Sequence, residues 1–185
     1  YWHTTGTVGS FGAAAAAATI LGANKEQFMH ALATAGSFAS GLQQAFRSQA
    51  MTKPLHGGHA ADAGCWAAMA AMKGLTGALD MIEGEVGFGN AMSVNPDWSK
   101  ATKGLGTDYH INQMTFKNHG CCGHTFPSID GALHLQKEHK FSHKDVKHIK
   151  LHTYKAGLNI IDNNDPEGEY QAKFSIQYTV AHALV

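Results

Sequence analysis

Apolar and small residues recur along the chain with a helical period far more often than with the alternation of a strand. Gly6, Gly9 and Gly12 are spaced by three and run into the alanines at 13–18. That spacing predicts a helix whose small side chains let another backbone approach closely. Thr4 or Thr5 is placed to cap it, and Gly22 with Asn24 to stop it. From Lys25, "KEQFMHALATAGSFASGLQQAF" sets Phe28, Leu32, Ala35, Phe38 and Leu42 on one face of a second helix. The two helices are expected to meet through Gly9, Gly12, Ala16, Gly36 and Ser40. After the break "TKPLHGG" a third helix is expected from about His59 to Met72, and "GLTGALDMIEGEVGF" reads as a turn, a short helix and a loop.

The pattern changes near residue 93, where a Gly-, Asn- and Asp-rich stretch without sustained period reads as a connection. A helix is expected over Pro127–Lys140. In "DVKHIKLHTY", Val146, Ile149, Leu151 and Thr153 alternate roughly with Lys and His, as in a half-buried strand. After the loop "DNNDPEGE", a last helix is expected to follow Ser175. The fold class is therefore mainly α: an Ala/Gly-rich helical portion over residues 1–110, then a connection and the start of a smaller α/β unit over 111–185. The opening on Tyr1 reads as a segment of a longer chain.

Composition removes several classes of function. Fourteen Lys and Arg balance fourteen Asp and Glu, so no basic field attracts nucleic acid. Three cysteines, two of them adjacent as Cys121 and Cys122, make a poor disulfide framework and point to a reducing, cytoplasmic setting. The uncharged run Gly6–Asn24 is mostly Ala, Gly, Ser and Thr, too weakly apolar for a membrane span.

The glycines of "GTVGSFG" follow no hydrophobic strand and lack the dinucleotide-binding spacing, so they read as packing residues. "HGCCGH" at 119–124 and "HGGH" at 56–59 contain zinc-type ligands but no Cys-x-x-Cys pair; no metal and no other cofactor is expected. The remaining chemistry lies at the ends of elements: His3 and Thr4 before the first helix, Lys53 and His56 before the third, Lys117 and His124 at the connection, and Tyr178 on the last helix. Cations and proton donors of this kind suit an acidic substrate.

"WHTTGTVGSFGAAAAAATILG", "MTKPLHGGHAADAG", "CCGHTFPSIDGAL" and "KFSIQYTVAHAL", in this order, resemble successive blocks of the MmgE/PrpD family. The resemblance implies a large helical domain and a smaller α/β lid with a cleft between them, usually in a homodimer. It further implies a cofactor-independent lyase or isomerase of small di- and tricarboxylates, with dehydration of the 2-methylcitrate type expected first and decarboxylation or epimerisation as related reactions. The alternative is a non-catalytic fragment or assembly scaffold retaining the fold. By the same resemblance His3, Lys53, Lys117 and Tyr178 match catalytic positions, while Thr4, His56 and His124 are expected to contact substrate. "FKNHGCCGH" departs from the commoner Lys-Pro-Tyr form around Lys117. The family also carries an Asp- and His-bearing segment upstream of the opening block.

Overall fold

The computed structural model describes residues 1–48 and 50–185. They form two compact units, one of residues 1–45 and 52–109, the other of 46–51 and 110–185.

The first unit is built on three helices, α1 (Thr4–Ile20), α2 (Lys25–Phe38) and α4 (Leu55–Met72); the short α3 (Gln44–Arg47), between the last two in sequence, is divided between the units at Ala45 and Phe46. α1 buries Gly6, Thr7, Ser10, Ala14 and Ala18, and α4 buries Ala60, Ala63, Gly64, Ala67, Ala68 and Ala71. Both sets follow the three-four spacing of one helix face. At Gly64 backbone meets backbone: a Cβ added there would lie 2.5 Å from the Ala14 nitrogen and 2.7 Å from the Ser10 oxygen. Dispersion between close backbones thus does the work that large side chains do elsewhere. The buried hydroxyl of Ser10 is satisfied within its own helix, donating to Gly6 O at 2.8 Å.

The packing differs from the expected contact between the first two helices. α1 packs more extensively on α4 than on α2. Gly9 faces Ala60 of α4 and Gly36 faces Phe11 and Met81, but among the described residues Gly12 has no neighbour within 4 Å of its Cβ position, and Ala16 is exposed. Small residues ring α1, and period alone did not say which of them face a partner.

The helix ends also depart from expectation. Neither Thr4 nor Thr5 caps α1; both lie inside it, and His3 is the extended N-cap residue. The entry is set by backbone pairing instead, with His3 N donating to Gly41 O at 2.9 Å and Gln43 N to Tyr1 O at 2.9 Å. Gly22, at φ +72°, takes the chain out of α1, while Asn24 forms a capping box with Gln27 at the start of α2. α4 begins at Leu55 rather than His59, directly after Pro54, because a proline suits a helix start where no backbone N–H is needed. Residues 79–87 turn without a helix, and the short α5 lies later, at Phe88–Met92.

In the second unit α6 (Phe126–His139) packs on α9 (Ile176–Ala183), with α7 (Lys155–Ile161) and α8 (Glu169–Ala172) between them in sequence. Phe46, Cys122, Ile129, Ile161, Phe174, Ile176 and Val180 form its buried cluster. α6 stops at His139 because Lys140 adopts a left-handed conformation, φ +55°. Ser175 caps α9, accepting from Tyr178 N at 2.9 Å. The strand expected over 146–153 does not form. Val146, Leu151 and Thr153 are half-buried among exposed Lys and His, but Ile149 is exposed. A strand requires a hydrogen-bonded neighbour, and among the described residues the one β-bridge joins Trp2 to Leu42. The architecture is mainly helical. Among the described residues no helix is long and apolar enough to cross a membrane.

Candidate functional site

In the first unit three of the sequence-derived candidates converge. His3 stands at the start of α1 and His56 in the first turn of α4, and their Nδ1 atoms are 2.8 Å apart. The rings are inclined by 48° with centroids 5.0 Å apart. The contact exists because the two helices approach so closely along their small faces and because both begin on the same side of the unit. Gly41 completes the frame: at φ +134° it takes a conformation suited to glycine, and a Cβ there would sit 3.3 Å from His56 Nδ1. Burial first, then the neighbouring His56 and Lys53, hold the His3 imidazole below its ordinary proton affinity. His3 is therefore biased toward the neutral form, able to accept a proton near neutral pH. Thr4, the first residue of α1, is exposed. On the same unit His59 Nε2 lies 3.0 Å from Ser40 Oγ.

The candidates of the second unit are not brought together in this way. Lys117 is exposed and donates from Nζ to the Cys121 carbonyl at 3.3 Å. His124 Nδ1 is hydrogen-bonded to the Tyr154 hydroxyl. Tyr178, about half exposed, lies with Cys121 on the wall of a cavity of about 910 Å³ and stacks on His182. That wall also holds a residue not foreseen in a pairing role, His119, whose Nε2 lies 2.7 Å from Asp130 Oδ1. "HGCCGH" drew attention to His119 as a metal-type ligand, but Asp130 is eleven residues away, and no sequence signal joined them. Cys121 Sγ lies 3.1 Å from Thr125 Oγ1, and Cys122 is buried with its backbone N–H on Lys173 O at 2.8 Å. Among the described residues no three His, Cys, Asp or Glu side chains gather around a possible metal position.

Comparison with known proteins matches the MmgE/PrpD N-terminal domain to residues 1–101 and the MmgE/PrpD C-terminal domain to residues 119–185. A human (Homo sapiens) protein, cis-aconitate decarboxylase, is 31% identical over 191 residues, a span covering all of this chain and 39% of that protein. The mouse (Mus musculus) cis-aconitate decarboxylase is 39% identical over 194 residues, covering all of this chain and 38% of its own length. The chain thus spans about two fifths of the length of these relatives.

Proposed function

The chain belongs to the MmgE/PrpD family, and on that premise we propose that it carries part of the site of a lyase acting on small di- and tricarboxylates. The observation that carries the reading is the cluster of His3, His56 and Lys53 at the starts of α1 and α4. A depressed imidazole beside an ammonium group suits chemistry next to a carboxylate: the imidazole moves the proton while the cation offsets charge growing on the substrate. The helix start adds a favourable field for an anion. Thr4 and His56 are proposed to contact substrate on the first unit, and Lys117, His124 and Tyr178 are proposed as functional residues of the second unit.

Two related reactions fit these roles. In decarboxylation a carbon–carbon bond to a carboxylate breaks, CO2 leaves, and the electron pair left on carbon takes a proton. In dehydration a base removes a proton next to a carboxylate and an acid protonates the departing hydroxyl. We favour decarboxylation, because both relatives described above are named for it; the 2-methylcitrate-type dehydration is the second reading.

The test is an assay of the complete protein against cis-aconitate, 2-methylcitrate, citrate and iminodisuccinate, with product identified by mass. His3→Ala is expected to lower kcat by about 10² to 10⁴ with substrate binding largely kept. Lys53→Ala removes a charge-assisted contact worth about 1.5–3 kcal/mol and is expected to raise KM. Turnover of none of the four would leave the scaffold alternative in its place.

A further inference from the structure

A neutral imidazole carries one N–H and one bare ring nitrogen. A hydrogen bond between two Nδ1 atoms therefore constrains both rings at once. At 2.8 Å, one of His3 and His56 must hold its proton on Nδ1 and the other must present Nδ1 bare. The first ring then has a bare Nε2 and the second an Nε2–H. The pair thus offers a base and an acid together, whichever ring plays which part.

We propose that His3 and His56 form one proton-relay unit, with His56 as the partner through which a proton taken up by the pair is passed. The proposal rests on the reading above that His3 handles the proton. The step balances. A proton arriving at the bare Nε2 makes that ring an imidazolium, and its Nδ1 proton then crosses to the partner's Nδ1. The first ring is left neutral with its proton on Nε2. The partner, briefly the imidazolium, releases its own Nε2 proton. One proton enters and one leaves, and the two rings have exchanged tautomers. Adding a second proton to the pair would set N–H against N–H across 2.8 Å, so the unit holds one extra proton at most.

The surroundings are shaped for this. His3 is anchored through its backbone N–H to Gly41 O at 2.9 Å, and His56 through its own to Lys53 O at 3.2 Å. Gly41, at φ +134°, leaves room beside His56 Nδ1 that a side chain would crowd. Lys53 is a charged group whose influence reaches His3, and it opposes positive charge on that ring. His59, further along α4, is engaged with Ser40.

The test is ring-nitrogen NMR of the ¹⁵N-histidine-labelled chain through a pH titration, with kinetics of the complete protein. In the parent, one ring of the pair is expected as the Nδ1–H tautomer and the other as Nε2–H, with the His3 titration coupled to its neighbour. In His56→Phe, His3 should titrate in a single step displaced from that of the parent, since the ring nitrogen it shares a proton with is gone. His56→Asn retains an amide that can hydrogen-bond to His3 but cannot carry the proton. It should keep the fold and the His3 ring position yet lose about 10² in kcat, a rise in KM reporting the substrate contact of His56 separately. Parental kcat in His56→Asn would overturn the relay and leave His56 a positioning residue only. A His3 titration identical in parent and His56→Phe would overturn the pair itself. Coupled titration without turnover of any polycarboxylate would sustain the proton-sharing pair and sink the substrate reading alone.

Discussion

Gly64→Ala should destabilise the first unit, although the substitution replaces a helix-weakening residue by the best helix former. The new Cβ would lie 2.5 Å from Ala13 Cβ, 2.5 Å from Ala14 N and 2.7 Å from Ser10 O. Comfortable contact begins at about 3.5 Å, so α1 and α4 must part by roughly 1 Å. Two of the three obstacles are backbone atoms, and no rotamer change moves them aside. Overpacking of this kind costs about 1–3 kcal/mol, and the upper end applies because the buried alanine contacts along both helices loosen together. Helix propensity returns about 1 kcal/mol, leaving a net loss of about 2 kcal/mol and a fall in Tm of about 4–8 °C for a chain of this length. Gly12→Ala is the internal control. It has the same propensity gain and nothing within 4 Å of its Cβ position, so it should stabilise by about 1 kcal/mol. Thermal and urea unfolding followed by far-UV circular dichroism would read both. A Gly64→Ala chain melting at or above the parent would show that the close approach of α1 and α4 does not hold this unit together.

Ser175→Ala should cost about 1–2 kcal/mol, because the buried hydroxyl accepts from Tyr178 N and donates to Asn163 O at 2.6 Å; an unchanged urea midpoint would refute the capping role. Tyr170→Phe should leave stability unchanged or raise it by about 1 kcal/mol, since among the described residues the buried hydroxyl has no hydrogen-bond partner. Clear destabilisation in urea would mean that the hydroxyl has found one. His3 should make stability pH-dependent. Its folded-state proton affinity lies below the ordinary imidazole value near 6.5, so its contribution is complete above that pH and lost as pH falls through the folded value. Urea melts of parent and His3→Asn at about pH 7.5 and pH 5 should show the parent losing more on acidification, and equal losses would contradict the depressed titration.

Helix existence was legible in the residues themselves. The Gly and Ala run of α1, the apolar spacing of α2, and Ser175 before α9 are local signals read by local physics, and each helix formed where its signal began, although α2 ends at Phe38 and leaves Leu42, expected on its apolar face, outside the helix. So were the residue types of the site, since His3, Lys53 and His56 stood out as polar groups at helix starts. What the residues alone did not decide were questions of partner. Gly12 and Gly64 are alike as sequence, yet one faces open space and the other lies against the backbone of α1, because only docking of α4 distinguishes faces of a helix that is small all round. The alternating 146–153 segment has the period of a strand, but a strand is completed by hydrogen bonds to another strand, and none pairs with it among the described residues. The same holds for the imidazoles: fifty-three residues separate His3 from His56, and only the meeting of α1 and α4 places their nitrogens within a hydrogen bond. Periodicity records what a segment can bury, whereas tertiary contact selects what it buries against.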